Sequence, residues 1–411
     1  MNFEFFIAKR IIAAKKRKNS VSSPIIKISI LAIAIGVIVM LFSVATGVGL
    51  QKKIKEKISG FNGDIQISKF DANNSKVTIN PVSKAQDFYP NFSQVPNVKK
   101  VQVYATKAGI IRTPNEFEGI ILKGVDHNYD WSFFNEYLIA GDIPKIDKKI
   151  SNEVLISDIT AKRLKLKVAD TFHMFFVKDN PNKAPNSRKF MVSGIYNSGF
   201  EEFDESLLIG DIRHIQRINK WEKEEVGGFE VFIDDFDELR KTGFEVYNHI
   251  DPSLNAYTIS EKFPAIFEWL KLFDTNIVVI IGIMILIAGI NMITALLVLI
   301  LERTQMIGIL KAMGSNNWSI RKIFLYNAAY LIGRGLLWGN IIGIGLLLIQ
   351  KYFGVISLNP ETYYVNQAPV YLSFTHVILI NVGTLILCLA MLIIPSIIVS
   401  KISPVKAIKF D

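Results

Sequence analysis

The chain has 411 residues, 50% of them hydrophobic and 20% charged, a single cysteine and a formal net charge of +10, with a mean hydropathy of +0.30. That hydropathy is too high for an ordinary soluble protein and too low for a chain immersed in lipid throughout, so membrane spans joined to a water-exposed domain are expected. The lone Cys388 excludes an internal disulfide framework and any CxxC or zinc-ribbon site.

The first element in chain order is a short amphipathic stretch. Phe3, Phe6, Ile7, Ile11 and Ala14 fall on one helical face, while Lys9, Lys16 and Arg17 lie largely elsewhere. Two readings stand: a helix lying in the membrane interface, or an unstructured basic tail. Within residues 1–24, Lys9, Arg10, Lys15, Lys16, Arg17 and Lys18 precede a long apolar run, as they do in the flank of a membrane span. Basic patches interleaved with aromatics are absent, so no nucleic-acid partner is expected.

Four apolar runs reach the roughly 20 residues that a helix needs to cross a bilayer, at 25–50, 277–301, 323–349 and 377–399. The first is longer than a signal-peptide core and no small-x-small cleavage site follows, so it reads as an uncleaved anchor. Arg303, Lys311, Arg321 and Lys322 lie in the loop 302–322, and Lys401, Lys406 and Lys409 in the tail 400–411. The loop 350–376 carries only Lys351. Positive-inside counting therefore puts both termini and the loop 302–322 in the cytoplasm. Residues 51–274 then form an extracytoplasmic domain, long enough for its own core.

That domain mixes strand-like runs (64–68, 98–104, 189–196) with helix-like pieces (157–165, 236–250), which suggests an α+β fold. The overall expectation is a polytopic α-helical membrane protein with four transmembrane helices and a large α+β domain between helices 1 and 2. Inside the domain, Lys178, Asp179, Pro181, Lys183, Pro185 and Arg188 belong to a turn-rich stretch between two strand-like runs, expected to project as a hairpin tip.

Chemistry on this chain has little support. The five histidines show no HExxH or i,i+4 pairing, and Asp126, His127 and Asp130 read as solvated turn residues. There is no GxSxG elbow and no GxxxxGK[ST] phosphate loop. No metal or cofactor site is expected on the chain; if ATP and Mg are used, another polypeptide holds them. The place to receive that work is Glu302, Arg303, Met306, Ile309, Leu310, Met313 and Gly314. There Met306, Ile309, Leu310 and Met313 share a helical face that would dock on a partner or rest on lipid headgroups. Gly335, Gly339 and Gly343, four apart on the third span, allow close helix approach within the chain or between chains. Asn291 and Arg334 are polar groups inside spans; Arg334, at about mid-depth, faces either a polar cavity wall or helix carbonyls.

The stretch "ERTQMIGILKAMGSNNWSIRKIF" resembles the E[KR]xxxI[AG]xLKxxG segment of FtsX-like permeases of the MacB-type ABC transporter superfamily. "FIAKR", "LKGVD", "KFMVSGIYNSGFEEFD", "LNPETYYVNQAPV" and "ISPVKAIKFD" are similar, in order along nearly the whole chain, to the lipoprotein-releasing LolC/LolE branch. The resemblance implies two permease chains, identical or paralogous, working with two ATPase subunits. They extract acylated lipoproteins from the inner membrane and pass them to a periplasmic carrier. It also implies that 302–314 is the coupling helix for the ATPase and that 178–188 is a carrier-binding hook. Asn291 resembles an asparagine frequent in the family; Met306 departs from a frequent acidic residue, and Arg334 has no family counterpart. Acyl chains would be received near the outer halves of the first two spans, Ala45 to Leu50 and Ile277 to Ile283. A MacB-like mechanotransmission permease and an FtsX-like regulator of a cell-wall hydrolase are the alternatives.

Overall fold

The computed structural model describes residues 3–13, 22–70, 77–114, 116–177 and 184–402. The chain divides into two compact units. One holds the described residues up to Gln51, Trp269–Ser357 and those from Gln367 onward; the other holds Lys52–Glu268 and Leu358–Asn366.

Four long helices, Ser22–Asn62, Pro264–Glu302, Asn317–Phe353 and Phe374–Ile393, carry the apolar runs. All four are long and apolar enough to cross a membrane. The third is bounded by local chemistry: the Asn316 side chain accepts from the Ser319 N–H at 2.7 Å, and Gly354 closes its other end at φ +58°. The fourth run was expected to stay helical to Val399. Instead the α-helix stops at Ile393 and a 3-10 turn starts at Pro395, whose ring cannot donate to the preceding turn. Inside the unit, Ile33, Val37 and Leu41 pack with Met292, Ile300, Phe324, Ile332, Cys388 and Leu392.

The N-terminal stretch is a helix, Phe3–Ala13, rather than a tail. Its expected apolar face splits. Ala8 is buried and Ile7 and Ile11 rest on the same core, whereas Phe3, Phe5 and Phe6 face outward. Glu4 accepts from the Ser319 hydroxyl at 3.0 Å and Phe5 meets Tyr326 edge-on, fixing the helix to the third long helix. Ala14 and the basic residues Lys15, Lys16, Arg17 and Lys18 lie outside the described residues.

The second unit is built on strands β1 (Ile65–Lys69), β2 (Val82–Ser83), β3 (Val98–Arg112), β4 (Phe117–Val125), β5 (Leu138–Gly141) and β6 (Glu153–Ser157). They are followed by β7 (Thr171–Phe176), β8 (Asn186–Tyr196), β9 (Leu207–Asp211), β10 (Glu225–Val226), β11 (Gly228–Ile233) and β12 (Leu254–Thr258). Ten of them form one sheet in the order β12-β1-β11-β3-β4-β9-β6-β8-β5, with β7 paired to β3 and β8; β2 and β10 form a separate pair. The β4–β9 and β6–β8 pairs are parallel and the rest antiparallel, so the sheet is mixed, as an α+β fold allows. Helices start where polar side chains cap them. Ser157 caps Asp158–Leu164, and Asp211 caps Ile212–Asn219. The expected helix at 236–250 begins as a 3-10 turn, Phe236–Glu238, and becomes α-helical over Leu239–His249. At the centre, Phe61 stacks on Phe203 at 4.7 Å and meets Phe134 edge-on.

Candidate functional site

The loop after the second long helix folds into a short helix, Thr304–Ala312. Ile307, Gly308 and Leu310 are buried against the bundle, and Met306 is half-buried on it. Ile309 and Met313 point outward, Met313 being 77% exposed. The shared face expected of Met306, Ile309, Leu310 and Met313 is therefore divided between the bundle and the outside. The i,i+4 pair Ile309 and Met313 is what remains to meet anything else, together with exposed Trp318 at the start of the third helix. Gly314, at φ +89°, ends the helix, and the Ser315 N–H reaches back to the Leu310 carbonyl at 3.0 Å. Lys311 donates to the Ser400 and Ile402 carbonyls at 3.2 and 2.8 Å, tying the loop to the chain that follows the fourth helix. Glu302 and Gly314 are exposed and Arg303 is half-buried. This site offers a small apolar knob on a fixed base.

Within the bundle, Gly335, Gly339 and Gly343 pack on the first long helix, opposite Ile33, Val37 and Leu41. A Cβ at Gly339 would sit 2.8 Å from the Val37 Cβ and 2.9 Å from the Ala34 carbonyl oxygen. The stripe therefore serves contact within the chain. Asn291 takes part through its backbone, whose carbonyl accepts from the buried Ser29 hydroxyl at 3.3 Å. Asn340 and Asn381 join the third and fourth long helices through side chains bonded reciprocally at 2.6 and 3.0 Å, a pair that no sequence motif marks. Arg334 is exposed on the outer face, with its guanidinium 4.7 Å from the Tyr330 ring centroid. Among the described residues no carboxylate pairs with it. Of the stretches expected to receive acyl chains, Ala45 and Leu50 are buried and Gly47 packs on Ile277, whereas Val278, Val279 and Ile283 face outward.

In the second unit the turn-rich stretch does separate two paired strands. β7 and β8 run antiparallel from Thr171↔Met191 to Phe176↔Asn186. Lys178, Asp179, Pro181 and Lys183 lie outside the described residues. Pro185 is exposed, and Arg188, opposite Met174, turns its guanidinium to the Ser187 carbonyl at 2.9 Å. The stem also pairs with β3, and Ile110, Phe117 and Val177 are exposed near that end of the sheet. Asp126 and Asp130 are engaged structurally. Asp126 takes Lys84 at 2.9 Å; Asp130 takes Lys100 and caps Ser132. Burial opposes ionisation of Asp130, but the bonds from Lys100 and Ser132 prevail and hold it down to about 2. Among the described residues no group of three His, Cys, Asp or Glu side chains could hold a metal ion.

Two buried charge sites were not singled out from sequence. Lys123 and Glu230 form an ion pair at 2.7 Å with side chains 3% and 1% exposed, and Lys123 also donates to the Phe61 carbonyl at 2.6 Å. Burial holds the Glu230 carboxyl above its ordinary range, against the pull of Lys123. Asp204 accepts from the Ser198 hydroxyl at 2.7 Å and from the Ser198 and Gly199 N–H groups at 3.1 Å; burial nonetheless pushes it up to about 6. Nearby, the buried Lys57 ammonium donates to the Tyr364 carbonyl at 2.8 Å. Strand alternation does not reveal the first site: it puts Ile120 and Leu122 on the buried side of "GIILKGV" and Lys123 on the side of exposed Phe117 and Gly119.

The profile of the MacB-like periplasmic core domain family matches residues 28–235, and that of the FtsX-like permease C-terminal family matches residues 278–404. The lipoprotein-releasing system transmembrane protein LolE of Haemophilus influenzae is 23% identical over 99% of both chains. The lipoprotein-releasing system transmembrane protein LolC of Xylella fastidiosa is 22% identical over 96% of both. The solved periplasmic region of MacB from Actinobacillus actinomycetemcomitans is 14% identical, with a TM-score of 0.34, covering 53% of this chain and 98% of that one.

Proposed function

The chain belongs to the permeases that join a MacB-like periplasmic core domain to an FtsX-like C-terminal part, and from that premise we propose that it releases acylated lipoproteins from the inner membrane as the membrane subunit of an ABC transporter. The observation that carries the reading is the reach of the similarity: LolE and LolC relatives align over the domain and all four long helices alike. ATP and Mg sit on a separate ATPase subunit, and two permease chains, identical or paralogous, complete the membrane part. Both termini and the helix Thr304–Ala312 face the cytoplasm, where the knob of Ile309 and Met313 enters a groove of the ATPase. The tip between β7 and β8 meets the periplasmic carrier, with Ile110, Phe117 and Val177 as adjoining apolar surface.

The energetics set what the permease must supply. Each acyl CH₂ moved from lipid to water costs about 0.8 kcal/mol, so three chains exposed together cost tens of kcal/mol. Chains must pass from bilayer to carrier without meeting water. The outward-facing Val278, Val279 and Ile283 of the second long helix offer an apolar wall for that transfer.

Depletion of the protein in its own cells, followed by fractionation of acylated lipoproteins, tests the reading. Retention in the inner membrane is expected. Normal outer-membrane delivery with an efflux defect would favour a mechanotransmission permease, and normal delivery with a cell-wall hydrolase defect a regulator.

A further inference from the structure

The segment Leu358–Asn366, between the third and fourth long helices, belongs to the second unit. It is closed on itself. The Leu358 N–H bonds the Asn366 carbonyl at 3.0 Å; Asn359 caps the turn Pro360–Tyr363; and the Tyr364 N–H returns to Pro360 at 2.8 Å. All of these bonds lie within the segment itself.

Docking centres on Tyr364 and its neighbours. The Tyr364 ring stacks on Phe200 at 4.5 Å, the Tyr364 carbonyl accepts from Lys57, and Asn366 lies against Gly199. Phe200 and Lys57 are themselves buried, at 0% and 3% exposure, with Val365 at 4%. Around the Lys57 ammonium stand the Asp204 carboxylate, Lys53 with its partner Glu136, and the Tyr137 ring at 5.4 Å. Among the described residues, the hydrogen-bond acceptor for this buried cation is the segment's own carbonyl. Covering Lys57 and docking the segment are thus one event.

We propose that Leu358–Asn366 is a releasable strap, held by Lys57 and Phe200 through Tyr364, whose departure uncovers a cationic, aromatic-walled surface on the domain. The strap has two discrete positions because its own bonds lie within it and its docking contacts break together.

The test uses the full-length chain in lipid nanodiscs, with Cys388→Ser removing the native thiol and Val365→Cys reporting by maleimide labelling. Tyr364→Ala removes the stack, and Lys57→Met removes the donor while keeping a long side chain. Each is expected to raise the labelling rate at least tenfold. Val231→Cys, at a fully buried core position in β11, stays unreactive in every background, which separates strap release from unfolding. Labelling of Val365→Cys as slow in both variants as in the parent overturns the proposal, since the strap is then a fixed part of the core. Labelling as fast in the parent overturns it too, as does a Val231 thiol that opens along with the strap.

Discussion

Replacing Lys123 by Met would strand Glu230 in the sheet. The two side chains are 3% and 1% exposed, so solvent cannot take over the role of the lost ammonium. Removing one member of such a pair costs about 3–5 kcal/mol. Glu230 has one escape, protonation, and burial already holds its carboxyl above the ordinary range. A carboxyl raised in the folded state contributes stability that is lost as pH rises through its folded value. Loss of Lys123 raises it further, so the cost of Lys123→Met is expected to approach the full 3–5 kcal/mol at pH 8 and to be smaller at pH 5. Lys123→Met with Glu230→Leu should recover most of it, because an apolar pair of similar volume replaces a buried ion pair at little net cost. Urea-dependent pulse proteolysis of the full-length chain in detergent, at both pH values, measures all three. A loss below about 1 kcal/mol at pH 8 for the single variant, or no recovery in the double, would refute the reasoning.

Asp204 gives a second pH signature: with its folded value near 6, the wild type should lose stability relative to Asp204→Asn as pH rises from 4 through 6. The change should be on the order of 2–3 kcal/mol in the same assay, and the opposite slope would contradict it. Gly339→Leu should destabilise the bundle by about 1–3 kcal/mol through its clash with Val37 and the Ala34 carbonyl. Gly345→Leu on the same helix, where an added Cβ meets nothing within 4 Å, should leave the detergent melting midpoint unchanged. Charging the outward knob with Ile309→Asp or Met313→Asp should abolish co-purification of an ATPase partner while leaving the midpoint of the permease itself intact.

Hydropathy located the four long helices well because lipid-crossing length is written in consecutive residues. It missed their ends: helices outrun their apolar runs wherever a cap such as Asn316 or Gly354 decides, and stop early where a proline falls, as at Pro395. Strands at 64–68 and 189–196 were legible from alternation, but the sheet order was not, since β1 lies beside β11 and β12, far along the chain. Around the helix Thr304–Ala312, spacing groups Met306, Ile309, Leu310 and Met313, yet spacing cannot say which of them the bundle itself will cover. It covers Leu310 and leaves Met313. The Gly335 stripe was recognised as a contact surface, and only the partner, the first long helix, had to come from the structure. Lys57 and Tyr364 are 307 positions apart, and no local pattern joins them.

The strap bears on where one should cut the gene. A soluble fragment trimmed at the obvious ends, Lys52 and Glu268, omits Leu358–Asn366, although those nine residues belong to the same unit. Such a fragment would show solvent a bare Phe200 ring and an ammonium stripped of its carbonyl, and these invite self-association that the intact chain avoids. Grafting the nine residues onto the fragment through a flexible tether would restore the missing cover. Comparing the grafted and ungrafted pieces would then give two fixed snapshots of a surface that the whole protein shows only in passing.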